Sequence, residues 1–228
     1  MTTFVPSRMG RLRLPTLCFI SDRHQCPNGE LEPVVQAAID GGANVVQLRE
    51  KDLPAGELFL LGMTVRRLTR GKALLLVDDR CDVAQACGAD GVHLPESGLP
   101  TSMARWILGR HALVGRSVHD VDAAQQAERD GADLVQFGPV FATSSKPDAK
   151  PVGIKALREV ASSISIPVLA VGGITPENAA QVIEAGASGV AVISAICAAE
   201  DPKGATEALV AAMNEAWAKR LGETKATA

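Results

Sequence analysis

The chain reads as one α/β domain, a single closed (β/α)8 TIM barrel, and three observations carry that reading. A short phrase recurs four times: Gly41-Gly42-Ala43-Asn44-Val45-Val46-Gln47-Leu48, Gly88-Ala89-Asp90-Gly91-Val92-His93-Leu94, Gly131-Ala132-Asp133-Leu134-Val135-Gln136-Phe137 and Gly186-Ala187-Ser188-Gly189-Val190-Ala191-Val192. In each copy a helical stretch stops at Gly-Ala, where glycine suits the left-handed end of a helix, and an apolar run suited to a buried strand begins. A unit repeated at roughly 45-residue spacing implies alternating helices and strands, hence a parallel sheet. Four further strand candidates lie between the copies, which makes eight. Finally, 228 residues is the length of one such barrel. The competing doubly wound sheet would want a G-x-G-x-x-G turn after its first strand, and none is there.

Taken in order, the first strand is the apolar run Leu17 to Ser21, followed by a helix over Leu31 to Asp40. The first phrase supplies a strand from Asn44 to Glu50, and a helix from Pro54 to Arg70 follows it. Ala73 to Asp79 is the third strand, with a short helix over Asp82 to Cys87. Gly91 to Leu94 and the helix Thr101 to Leu108 come next, then Leu113 to Val118 with Asp120 to Arg129. Leu134 to Pro139 precedes a helix over Ile154 to Val160, and Pro167 to Gly173 precedes Pro176 to Glu184. Gly189 to Ser194 closes the series before a last helix over about Ala205 to Lys219. The domain spans residues 1–228 with its core over about 17–220. Met1 to Arg13 and Gly222 to Ala228 read as frayed, flexible ends.

Composition narrows the function. Apolar residues make up 46% and aromatics 3%, which suits a packed α/β core rather than a disordered chain. A net charge of −3 without a basic block argues against nucleic acid or an anionic membrane as partner. Five scattered cysteines with no C-x-x-C pair suit free thiols in a reducing cytoplasm. No apolar run reaches the length of a membrane span, and the arginine-bearing start does not resemble a signal peptide.

Barrel enzymes place their chemistry at the carboxyl ends of the strands. Strand two ends Gln47-Leu48-Arg49-Glu50-Lys51, and alternation puts Gln47, Arg49 and Lys51 on one face. Burying that set is costly without an anionic ligand or an acidic partner such as Glu50. Strand three ends Asp78-Asp79, where one carboxylate could hold a metal or pair with Arg49 or Lys51. Strand five carries Ser117 and His119 on one face, and histidine is the side chain best suited to proton transfer near neutral pH. His93, beside Leu94 and Pro95, reads as packing, and His24 and His111 have no supporting context. The long loop from Phe141 to Gly153 holds Thr143, Ser145 and Lys146, a hydroxyl-and-cation cradle for a phosphate or diphosphate. Gly172-Gly173 and Ile193-Ser194 end strands seven and eight, where many barrels hold phosphate on backbone amides. A backbone site of this kind is expected to tolerate Ser194→Ala and to be damaged by Gly173→Val, whose side chain would enter the anion.

Several of these segments, in order, make the chain resemble the thiamine-phosphate synthase and thiazole tautomerase superfamily over about Leu17 to Ile196. They are Gln47 to Lys51, Asp79-Arg80, Gly91-Val92-His93-Leu94, Gly138-Pro139-Val140-Phe141 with Thr143 and Lys146, and Gly172-Gly173-Ile174. The resemblance implies a phosphorylated thiazole substrate bound by Gln47, Arg49, Lys51, Asp79, Ser117, Gly138, Thr143, Ser145, Lys146, Gly172, Gly173, Ile193 and Ser194. Two branches differ in chemistry. The synthase couples a pyrimidine diphosphate to thiazole phosphate with Mg2+, and its pattern has Asn-Asp after strand three and a second metal Asp after strand four. Here Asp78 replaces that Asn, Asp79 is kept, and the second Asp falls on Gly98, with Glu96 as a possible substitute. The tautomerase shifts a proton on a thiazole phosphate carboxylate without a metal, and His119 falls on its catalytic histidine. Leu94-Pro95 and Gly115-Arg116-Ser117-Val118-His119 resemble that branch, so tautomerase is the main expectation: no cofactor, dispensable Mg2+, and His119 as proton carrier. The synthase, with Mg2+ on Asp79, is the alternative. A non-catalytic sensor of thiamine intermediates is a lesser one. A homo-oligomer is compatible with all three.

Overall fold

A computed structural model describes residues 12–143 and 150–226, with side chains through residue 222. Eight parallel strands close on themselves in chain order: β1 Thr16–Ile20, β2 Val45–Leu48, β3 Leu74–Asp78, β4 Gly91–Leu94, β5 Leu113–Val118, β6 Leu134–Phe137, β7 Val168–Val171 and β8 Gly189–Val192. Closure runs through the β1–β8 pair, where Phe19 lies opposite Val192. The helices are α1 Leu31–Asp40, α2 Ala55–Thr69, α3 Cys81–Ala86, α4 Thr101–Leu108, α5 Val121–Arg129, α6 Gly153–Ser163, α7 Pro176–Glu184, α8 Ser194–Cys197 and α9 Pro202–Ala226. Two differences from the sequence reading stand out. A four-residue helix, α8, precedes the final one, and several strands stop short. β7 ends at Val171 because Gly172 and Gly173 turn the chain at positive φ, and β2 ends at Leu48. Among the described residues no helix is long and apolar enough to cross a membrane, and the five cysteines are buried and form no disulfide.

The repeated phrase has a structural reason. Its fourth residue in the first copy, Asn44, accepts the Leu17 amide through Oδ1 at 3.1 Å. Asp90 accepts the Leu75 amide at 2.9 Å and Asp133 the Val114 amide at 2.8 Å. Each side chain thus satisfies the amide of the second residue of the preceding strand, which would otherwise be an orphan at the barrel's lower rim. Arg66 and Arg105 neutralise Asp90 and Asp133 there.

Two apolar layers follow from strand alternation. Phe19, Val46, Val77, Val135, Ala170 and Val190 face outward onto the helices. Cys18, Ile20, Val45, Leu76, Leu113, Leu134, Leu169 and Ala191 fill the barrel. Leu12 belongs to this inner cluster and is buried, although it falls in the stretch read as a frayed end. A chain that covers the open bottom of a barrel removes its lowest apolar layer from water. The Arg13 carbonyl is tied down as well, accepting Thr16 Oγ1 at 2.9 Å and Asn44 Nδ2 at 3.2 Å.

Candidate active site

Above the apolar layers, at the carboxyl ends of the strands, the barrel opens into a cavity of about 440 Å³. Its floor is polar and buried. Gln136 Nε2 donates to Gln47 Oε1 at 2.7 Å, and Gln47 Nε2 donates to Asp78 Oδ1 at 2.8 Å. The second Asp78 oxygen, Oδ2, is buried without a hydrogen-bond partner. Lys51 Nζ lies 3.9 Å from it. Burial raises the Asp78 carboxyl above the usual range, against the opposing pull of Lys51 and Arg49 and the Gln47 hydrogen bond. Leu74, Leu76 and Asp78 occupy alternate positions of β3, so the pleat aims Asp78 inward. The same alternation was available in the sequence.

Asp79 is placed differently from the other described residues of the expected binding set. It is exposed at positive φ (61°) and does not line the cavity. Its Oδ1 lies 2.7 Å from where a Cβ on Gly98 would stand, so the two positions that the synthase pattern fills with metal-binding Asp residues are adjacent in space. Gly98 leaves one of them without a carboxylate.

The remaining expected residues divide cleanly. Gln47, Arg49, Lys51, Ser117, His119, Gly138, Thr143, Gly172, Gly173, Ile193 and Ser194 all line the cavity. Ser145 and Lys146 lie outside the described residues. Arg49 is half-buried, and its guanidinium has no ion pair or hydrogen bond to a described residue. Glu50, one candidate acidic partner for it, instead accepts Ser21 Oγ at 2.6 Å and Arg23 Nη1 at 3.0 Å. His119 Nδ1 donates to the Gly138 carbonyl oxygen at 2.5 Å, and its Nε2 is 3.4 Å from Glu96 Oε2. A carbonyl can only accept, so Nδ1 carries the proton there and Nε2 faces the carboxylate. Asp120 caps α5 directly after it, accepting the Ala123 amide at 2.7 Å.

His93 does more than pack. It lines the cavity, its Nε2 is 2.9 Å from Ser117 Oγ, and burial followed by Arg116 and Lys51 lowers its pKa to about 3. A neutral imidazole therefore orients the Ser117 hydroxyl. Gly115 makes room for the ring: a Cβ there would stand 2.6 Å from His93 Nδ1. Arg116 donates to the carbonyls of Leu99 and Glu96 at 2.6 and 2.8 Å and so holds the loop that brings Pro95, Glu96 and Ser97 over the opening. Nothing in the spacing of Arg116 announced that task.

The glycine turn after β7 needs its glycines for a different reason from the expected one. A Cβ on Gly172 would stand 2.5 Å from Pro139 Cβ, and one on Gly173 only 2.3 Å from the Ala142 carbonyl oxygen. A Gly173→Val side chain would therefore collide with the loop after β6 rather than enter the cavity, and that substitution is no test of an anion site. The Gly172 and Gly173 amides carry no hydrogen bond to a described residue. Asn178 Nδ2 holds the Gly173 carbonyl at 2.8 Å, while Thr175 and Asn178 form a capping box at the start of α7.

The sequence model of the thiamine monophosphate synthase family matches residues 17–196. Thiamine-phosphate synthase of Roseiflexus castenholzii is 50% identical over 192 residues, covering 83% of this chain and 84% of that protein. The enzyme of the same name from Moorella thermoacetica is 48% identical over 178 residues, or 77% and 85% of the two chains. Among solved structures, thiamine phosphate pyrophosphorylase from Pyrococcus furiosus aligns with a TM-score of 0.82 at 40% identity, covering 91% of this chain and 98% of that one. These relatives are nearer to the coupling branch of the superfamily than to the tautomerase branch that the strand-four and strand-five segments suggested.

Proposed function

Because the chain belongs to the thiamine monophosphate synthase family, we propose that it is a thiamine-phosphate synthase. On this reading it joins a hydroxymethylpyrimidine diphosphate to thiazole phosphate. A bond forms between the thiazole nitrogen and the pyrimidine's methylene carbon as the carbon–oxygen bond to diphosphate breaks. The observation that carries the reading is a cavity with unlike walls: two cations at the end of β2, a buried acceptor without a hydrogen bond in the floor, and amides after β7 that bond no described residue. Arg49 and Lys51 supply the positive wall and suit the diphosphate. Asp78 Oδ2, buried and without a hydrogen bond, suits an N–H donor such as an amino group on a heteroaromatic ring. The Gly172 and Gly173 amides, with Ser194 beside them, suit the phosphate of the thiazole.

Mg2+ fits this donor set only with help from substrate. Among the described residues no group of three or more His, Cys, Asp or Glu could hold a metal ion. Mg2+, however, is commonly bound by one or two carboxylates with substrate phosphates and water completing the shell. Asp79 would be that carboxylate, and the ion when bound would neutralise charge on the departing diphosphate.

The tautomerase remains the second reading, favoured by one observation: His119 reaches the cavity with a ring nitrogen directed at Glu96. One assay separates the two. Purified protein with both phosphorylated substrates and Mg2+ is expected to release thiamine phosphate and diphosphate in equal amounts, and to stop when a chelator is added. Metal-independent loss of the non-aromatic thiazole isomer, with no coupled product, would overturn the synthase reading in favour of the tautomerase.

A further inference from the structure

Lys51 stands in the segment Arg49-Glu50-Lys51-Asp52, whose formal charges cancel. A short run of this kind would ordinarily satisfy itself, leaving little positive potential for a ligand. Here both acids turn away from the cavity to one residue. Arg23, in the loop after β1, places Nη1 at 3.0 Å from Glu50 Oε2 and 2.7 Å from Asp52 Oδ1, with Nη2 on Asp52 Oδ2. The Arg23 amide adds contacts of 3.2 and 3.3 Å to Glu50. His24 Nε2 lies 3.0 Å from Asp52 Oδ2. The Arg23 hydrogen bond, ahead of that of His24, holds the Asp52 carboxyl well below the usual range. Arg49 and Lys51 line the cavity, whereas Glu50, Asp52 and Arg23 do not.

We propose that Arg23 is a positioning residue that gathers the two carboxylates flanking Lys51, and so keeps them from pairing with Arg49 and Lys51, whose remaining acidic neighbour Asp78 stands 3.9 Å from Lys51 Nζ, leaving the pair open to a polyanionic substrate. The inference rests on the reading of that pair as the diphosphate site. A planar guanidinium fork can hold two carboxylates at once in fixed directions, which a surface lysine would do less well. Once Arg23 loses its charge, Asp52, which is exposed, becomes free to pair with Lys51, and Glu50 becomes a buried anion without a counterion beside Arg49.

The test is calorimetric titration with inorganic diphosphate in metal-free buffer, with a thermal melt on each variant to confirm folding. Arg23→Met is expected to weaken binding by about tenfold, the scale of one extra unit charge near the site. Adding Glu50→Gln and Asp52→Asn to that variant should bring affinity back to within about twofold of the parent, and Arg23→Lys alone should retain most of it. A merely structural role would not give that charge-dependent rescue. Should Arg23→Met fail to fold, Arg23→Gln serves the same comparison. Parental affinity in the Arg23→Met protein, or no rescue in the triple variant, overturns the inference while leaving the diphosphate site standing. If the parent itself does not bind diphosphate, the site reading fails instead. A crystal structure of the variant then decides the inference: Asp52 or Glu50 paired with Lys51 or Arg49 supports it, and both acids in place overturn it.

Discussion

Asp78 is the residue where cost and use are most clearly set against each other. Its carboxylate is 8% exposed, one oxygen accepts from Gln47, and the other has no donor. Burial therefore raises its pKa above that of the unfolded chain, and the charged form costs stability. The sign follows directly. Below the unfolded pKa the group is neutral in both states and the cost is absent. It develops as pH rises through the raised folded pKa and is complete above it. An Asn at this position would keep the contact with Gln47 and carry no charge. Asp78→Asn is expected to stabilise the protein by about 1 kcal/mol at neutral pH, a rise of roughly 2–4 °C in melting temperature. That gain should vanish near pH 3. Melts of both proteins across pH check it, and an equal gain at all pH values would show that the charge is not its source.

The loop after β6 and the turn after β7 behave as one element. Val140 and Phe141 donate to the carbonyls of Val171 and Gly172 at 2.9 and 3.1 Å, and the space where a Gly173 Cβ would sit is filled by the Ala142 carbonyl. Gly173 also has φ of 64°, where an L side chain is strained. Gly173→Ala is therefore expected to cost more than about 2 kcal/mol in urea unfolding, through strain and overpacking together. Any loss of phosphate affinity in this variant would come from a displaced loop rather than from a blocked anion. A Gly173→Ala protein as stable as the parent would mean that the two segments are not coupled in this way.

On the scale of the whole barrel, the end opposite the cavity is sealed by a residue that precedes the first strand. Leu12 packs into the inner cluster with Leu113, Leu134 and Leu169 and is 7% exposed. Truncation of a buried leucine removes transfer energy and leaves a cavity, so Leu12→Ala is expected to cost about 2–3 kcal/mol, a fall of roughly 5–10 °C. The cavity lies at the other end of the strands, so substrate affinity should change little. The comparison is a melt alongside a binding titration. An unchanged melting temperature would show that Leu12 adds nothing to the core.

The barrel was legible in the sequence because it is written locally and repeatedly. Each Gly-Ala-Asx phrase ends a helix, satisfies the amide of the preceding strand and starts the next, so period and side-chain chemistry agree in one short segment. Most of the cavity wall was legible for the same reason, since alternation along β2 and β5 puts Gln47, Arg49, Ser117 and His119 inward. Other features were decided only when the strands closed. Whether Asp78 or Asp79 faces the cavity depended on where β3 gives way to a turn at positive φ. The partner of Glu50 proved to be Arg23, 27 residues away, and Arg116 found its work holding the loop that carries Glu96. Leu12 became core only because the barrel has an open bottom for it to fill. Local pattern determines which residues point inward, because the pleat has period two. Which charges meet is set by the distances between loops of different strands, and those exist only in the closed barrel.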